Sequence, residues 1–130
     1  MSTRILVVDD NEVNVELLVA VFASEHYVVS TATDGFEALA KIAAENPDIV
    51  LLDVMMPGLD GLDTMRIIRQ LDGYRSLPII AVTAKAMMGD RDKCLEAGAT
   101  DYVAKPVNID VLLATLWRTL PHDEQSRQLQ

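Results

Sequence analysis

The sequence predicts a doubly wound α/β sandwich: a five-stranded parallel sheet in the order 2-1-3-4-5 with five helices around it. Three observations predict it. Short β-branched runs (Ile5-Leu6-Val7-Val8, Ile49-Val50-Leu51-Leu52, Ile79-Ile80-Ala81-Val82) read as strands buried on both faces, the mark of a parallel sheet. Segments with apolar residues at helical spacing alternate with these runs. Each strand–helix unit is short, so right-handed crossovers lead naturally to that strand order, with its switch point between strands one and three.

The elements follow in order. Asn11 can cap a first helix running to about Ser24, with Leu17, Leu18, Val21 and Phe22 as its core stripe. Val13, Val15 and Val19 extend the apolar surface of this helix, either packed by neighbouring helices or scattered at the surface, or forming a docking face. A second strand runs from Val28 to about Thr33, and Asp34-Gly35 turns the chain into a helix marked by Phe36, Leu39, Ala40 and Ala43. Asn46-Pro47-Asp48 closes that helix and delivers the third strand. The loop Met56-Pro57-Gly58-Leu59-Asp60-Gly61 is dense in turn residues and precedes a helix carrying Met65, Ile67, Ile68 and Leu71. Pro78 opens the fourth strand. A weaker helix, interrupted by Gly89, spans Lys85 to Ala97, and Gly98 suits its C-terminal cap. The fifth strand, Tyr102-Val103-Ala104, ends at Lys105-Pro106. Asn108 can cap a last helix with Leu112, Leu113, Leu116, Trp117 and Leu120 apolar, and Pro121 ends it. Residues 1–120 are thus expected to form one domain, and 121–130 a polar tail with little to bury.

Composition narrows the function. The 130 residues carry 20 acidic against 11 basic side chains, a net charge of −9, with no block of Lys or Arg. Direct binding to nucleic acid or to an anionic membrane is therefore disfavoured. Cys94 is the single cysteine, which excludes an internal disulfide and a thiolate metal cluster, and its apolar neighbours suggest a buried side chain. Neither a signal peptide nor an apolar run of membrane-spanning length is present, and the expected location is cytoplasmic.

Four strand ends carry chemistry: Asp9-Asp10, Asp53, Thr83 and Lys105. In a parallel sheet these ends share one edge, where ligands bind. An isolated Asp after a strand is ordinarily a cap or turn residue, and an isolated Thr or Lys there means little; their co-occurrence on one edge is what signifies. Hard oxygen ligands in a shallow crevice suit Mg²⁺. A bound cation reduces the repulsion between a carboxylate and an anionic phosphoryl donor. Lys105 would add a point charge and Thr83 a hydroxyl for the phosphoryl oxygens. Asp53 stands alone at the central strand end and is the expected nucleophile, forming an aspartyl phosphate, while Asp9 and Asp10 are paired for metal.

Asp9-Asp10-Asn11, Asp53 with Met56-Pro57 and Asp60-Gly61, Thr83-Ala84 and Lys105-Pro106 resemble the motif set of response-regulator receiver domains of two-component signalling, over residues 4 to 120. The resemblance implies a flavodoxin-like fold and phosphorylation of Asp53 by a histidine kinase or histidine phosphotransfer protein. It implies Mg²⁺ held by Asp10, Asp53 and the Met55 backbone carbonyl, with Asp9 assisting. It also implies a phosphoryl group held by Thr83 and Lys105, and a cis Lys105-Pro106 bond. In such domains the threonine moves toward the phosphoryl group and an aromatic, here Tyr102, rotates inward. That switch changes the surface of helix four, strand five and helix five for a downstream protein target. From its residues alone Tyr102 reads as an amphipathic side chain half-buried at a sheet edge. Met87-Met88 would be adaptable contact residues on the switched surface or simple gap-fillers. Asn11, Asn14 and Leu17, with the Ala81–Ala84 and Ala86-Met87 segments, resemble receivers of hybrid kinases and stand-alone regulators of the DivK kind. The Asn14 and Leu17 face would meet the phosphodonor, and Met55 and Lys85 occupy positions that modulate phosphate lifetime.

The resemblance implies a signalling domain that assists only its own phosphorylation and dephosphorylation, not a metabolic enzyme, acting as a monomer or a phosphorylation-dependent homodimer. A stand-alone regulator is the favoured context; the alternative is a receiver cut from a hybrid histidine kinase or multidomain response regulator. Other classes fit less well. Haloacid-dehalogenase-like phosphatases need a second acid two residues beyond the nucleophile, where this chain has Met55. A flavin carrier of similar topology would have its cofactor phosphate repelled by Asp9-Asp10. A receiver reduced to a protein-binding scaffold would lack some phosphorylation residue, and none is missing. There is no P-loop.

Overall fold

The structure, a computed structural model, describes residues 3–56, 58–84 and 88–120. Strands β1 (Arg4–Val8), β2 (Val28–Ala32), β3 (Ile49–Asp53), β4 (Ile79–Thr83) and β5 (Asp101–Ala104) form one sheet in the order β2-β1-β3-β4-β5. Every neighbouring pair is parallel. Helices α1 (Glu12–Ser24), α2 (Gly35–Glu45), α3 (Gly61–Gln70), α4 (Met88–Ala97) and α5 (Ile109–Thr119) alternate with the strands. Architecture and strand order are those the sequence predicts.

Strand residues alternate between two cores, as the period of two requires. Leu6, Val8, Val50, Leu52, Ile79 and Ala81 pack with Ala38 and Ile42 of α2, Met65 and Ile68 of α3, and Cys94 and Ala97 of α4. Ile5, Val7, Ile49, Leu51, Ile80 and Val82 pack with Leu18 and Phe22 of α1 and Leu112 and Leu116 of α5. The central strands β3 and β4 are buried along their whole length, which explains their unbroken apolar sequence. Cys94 is buried, as expected.

Side-chain caps start the helices. The Oδ1 atoms of Asn11, Asp34, Asp60 and Asn108 accept the amides of Asn14, Glu37, Asp63 and Val111 at 3.1, 2.8, 2.8 and 3.1 Å. Gly98 ends α4 with a φ of 121°, its amide donating to the Leu95 carbonyl and that of Ala99 to the Cys94 carbonyl. Gly89 does not interrupt α4, which runs unbroken from Met88. The start of the expected helix at Lys85, its Ala86-Met87 segment, Pro57, and the Pro121 stop with the 121–130 tail all lie outside the described residues.

Three details of the helical faces differ from expectation. Leu17, expected in the core stripe of α1, is 56% exposed, and Leu18 and Phe22 carry the burial. In α2 the buried face is Gly35, Ala38 and Ile42, whereas Phe36 is 68% exposed and Ala40 and Ala43 face solvent. The phase of α2 is set by the need for a small residue at its start: a Cβ on Gly35 would overlap Thr64 Oγ1 and lie 2.9 Å from a Leu59 methyl. Leu71 lies just past α3 as its cap and is exposed. Strand β2 stops at Ala32, one residue before Thr33.

Candidate functional site

Register brings the strand ends together. Val8 pairs with Leu52, so Asp9 and Asp53 follow as neighbours at the C-terminal edge of β1 and β3. Asp53 pairs with Val82 and Thr83 with Ala104, which places Thr83 one step beyond Asp53 and Lys105 beside it. The backbone continues these ladders past the strand ends: the amides of Asp9, Val54 and Lys105 donate to the carbonyls of Ala32, Val82 and Thr83 at 3.1, 2.9 and 2.8 Å. The site residues thus emerge from a rigid sheet edge.

One carboxylate oxygen from each of Asp9, Asp10 and Asp53 lies within 4.8 Å of the others. Asp53 is 3% exposed and Asp9 5%, while Asp10 is open to solvent. Asp9 Oδ1 accepts the Asn11 amide at 2.9 Å, which orients Asp9 inward. Asp53 is held at both oxygens: Oδ1 accepts the Met55 amide at 3.1 Å and Oδ2 accepts from Lys105 Nζ at 3.2 Å. Thr83 is buried beside them, and the Lys105-Pro106 peptide bond is cis.

Burial pushes the Asp53 carboxyl above the usual carboxylate range, and the charge of Asp9 adds to this. The Met55 amide and Lys105 oppose the shift without cancelling it. Among the described residues, three carboxylates converge with one ammonium, Lys105, paired to Asp53, and their hard oxygen donors match a small divalent cation. Asp9, Asp10 and Asp53 could hold such an ion.

Beside the acids, a cleft of about 270 Å³ opens between α1 and the loop that follows β5, reaching Asp9, Asp53 and Lys105. Asn14 and Leu17 line it, opposite Pro106 and Val107. The position of Pro106 and Val107 across from α1 was not legible in the sequence, since nothing local links them to α1. Met55 is exposed beside Asp53. Tyr102 is half-buried against the α3–α4 core, and the Arg91 guanidinium of α4 lies 5.7 Å from its ring centroid. Arg91 carried no signal in the sequence, because a contact between a helix and the next strand depends on their packing. Lys85 and Met87 lie outside the described residues, and the Met88 side chain is likewise not described.

The described helices include none long and apolar enough to cross a membrane. Residues 5–116 match the response regulator receiver domain family. The chain is 50% identical over 120 residues to the response regulator PleD of Caulobacter vibrioides, covering 92% of this chain and 26% of that protein. It therefore spans about a quarter of that relative's length. Among solved structures, the chemotaxis protein CheY4 of Vibrio cholerae superposes with a TM-score of 0.88 at 32% identity, covering 92% of this chain and all (100%) of the other. The receiver domain of the sensor histidine kinase PA1611 from Pseudomonas aeruginosa, solved with a magnesium ion coordinated in its active site cleft, superposes with a TM-score of 0.83 at 40% identity, covering 91% and 97%. With fold, acidic cluster and lysine all in agreement, the chain belongs to the response regulator receiver domain family, the phospho-accepting domains of two-component signalling.

Proposed function

We propose that this chain accepts a phosphoryl group on Asp53 from a phosphohistidine donor, a histidine kinase or histidine phosphotransfer protein, and thereby switches a protein-binding surface. The observation that carries the reading is the convergence of three carboxylates within 4.8 Å, with Lys105 3.2 Å from Asp53.

The Met55 amide and the Lys105 ammonium favour the ionised form of Asp53 against the cost of its burial, and the carboxylate is the form that attacks. In the transfer an Asp53 oxygen forms a bond to phosphorus, the donor's N–P bond breaks, and the imidazole leaves with that electron pair. Lys105 then turns from the carboxylate to the phosphoryl oxygens, where Thr83 adds a hydroxyl. Asp10, Asp53 and the Met55 carbonyl, with Asp9 assisting, are the groups that would hold Mg²⁺. When bound, Mg²⁺ supplies charge neutralisation between the attacking carboxylate and the anionic phosphoryl group. The magnesium in the cleft of the PA1611 receiver supports this assignment. Asn14 and Leu17, lining the cleft beside Asp53, suit contact with the donor's helices. Tyr102 is the aromatic of the switch, and α4, β5 and α5 form the surface offered to a downstream protein. Met55, exposed at the rim, is placed to govern water access and hence phosphate lifetime.

The domain assists only its own phosphorylation and dephosphorylation, in the cytoplasm. As a stand-alone regulator it would act by protein contact, as a monomer or a phosphorylation-dependent homodimer. A second reading, one receiver within a longer response regulator or hybrid kinase, is supported by the 26% coverage of PleD. Incubation with Mg²⁺ and acetyl phosphate should add one phosphoryl group by intact mass, labile to hydroxylamine. Asp53→Asn should abolish it, and equal labelling of that variant would refute the assignment.

A further inference from the structure

Tyr102 and Arg91 form a contact that the phosphorylation chemistry does not require. Arg91 is exposed on α4, and its guanidinium sits over the Tyr102 ring at 5.7 Å from the centroid, within cation–π range. Tyr102 is half-buried, with its ring against the core on the α3–α4 side of the sheet. A ring beneath an exposed guanidinium must keep one face toward the surface. Turning that ring into the sheet edge takes the face away from Arg91, so the contact belongs to one position of Tyr102 and not to the other. Asp101, the preceding residue, pairs with Arg118 Nη2 of α5 at 3.2 Å, and its Oδ1 accepts the Tyr102 amide. Pairing of Asp101 to Ala104 with β4 anchors the backbone of β5, which leaves rotation of the side chain as the free movement.

We propose that Arg91 is a positioning residue that latches Tyr102 in its resting place and so sets how readily this receiver is phosphorylated. The inference rests on the assignment of Asp53 and Tyr102 above. An interaction made in only one of two states biases their equilibrium by its own free energy, and phosphorylation draws on the other state. Loss of the latch therefore eases phosphorylation. It also links the ring's rotation to the release of a guanidinium on α4, which moves a positive charge on the surface offered to a partner.

The test compares the unsubstituted chain with Arg91→Gln and Arg91→Lys, using Mg²⁺ and acetyl phosphate as donor. Labelling is followed by intact mass, and the Tyr102 ring is followed by NMR. Arg91→Gln should label about two- to fivefold faster, the factor expected from an exposed cation–π contact. Its Tyr102 ring resonances should shift before any phosphodonor is added. Arg91→Lys, which keeps a cation, should lie between the two. A contact that merely stabilised the fold would lower the melting temperature without raising the labelling rate. A rate in Arg91→Gln no higher than in the unsubstituted chain, or unmoved ring resonances, overturns the latch while the Asp53 assignment stands. Absence of labelling in the unsubstituted chain overturns the assignment and the latch with it.

Discussion

Replacing Asp53 by Asn should make the metal-free protein more stable at neutral pH. Two unit charges 4.8 Å apart repel by about 3.5 kcal/mol at an effective dielectric of about 20, and oxygens of Asp9 and Asp53 lie within that distance. Lys105, 3.2 Å away, returns about 5 kcal/mol by the same arithmetic, but its side chain is 27% exposed and solvent weakens the attraction. Burial of the Asp53 carboxylate adds a desolvation cost, and the raised pKa shows that the balance falls against the charged form. Asparagine keeps an oxygen for the Met55 amide and carries no charge. A gain of about 1–2 kcal/mol follows, or about 4–8 °C in melting temperature for a domain of this size. The sign with pH is fixed by the direction of the shift. A carboxyl raised above its ordinary 3.8 costs stability once ionised, so the penalty is present above the folded pKa and fades as pH falls through it. Thermal melts of both proteins in chelator from neutral pH downward should show the Asp53→Asn advantage shrinking with acidification. Equal melting at neutral pH, or an advantage that grows in acid, would refute the reasoning.

Two further perturbations probe the same edge. Added Mg²⁺ should raise the melting temperature by mass action, about 2.7 kcal/mol at one hundred times its dissociation constant, and Asp10→Asn, a change at an exposed side chain, should remove most of that gain; calorimetric melts with and without the ion check this. Gly61→Ala should cost about 2–4 kcal/mol, because the added Cβ would overlap the Asp53 carbonyl oxygen and lie 2.6 Å from Val54 Cα, so that backbone must move; denaturant unfolding measures it, and slower phosphorylation should accompany it.

The fold was legible because its signals are local and redundant. Ile49 to Leu52 and Ile79 to Val82 could hardly be anything but strands covered on both sides, and Asn11, Asp34 and Asn108 stand where helices begin. Helical faces were less legible. Phe36 is the largest apolar side chain of α2 yet faces solvent, because the close approach of Leu59 and Thr64 admits only Gly35 at that corner. Leu17 and Leu18 are the same residue type side by side, and nothing local says which of them is buried.

The amino-acid order by itself determined the strand order, the edge on which Asp9, Asp10, Asp53, Thr83 and Lys105 meet, and the oxygen-rich chemistry of that edge. These follow from chain connectivity and strand period, which are properties of the sequence. Only the tertiary structure decided that Asp9 turns inward while Asp10 stays open, that Lys105 pairs with one oxygen of Asp53, that Pro106 and Val107 face α1 across a cleft, and that Arg91 lies over Tyr102. Each of these depends on the distance and angle between elements that are remote in the chain, and those are set by how the two cores pack against the sheet.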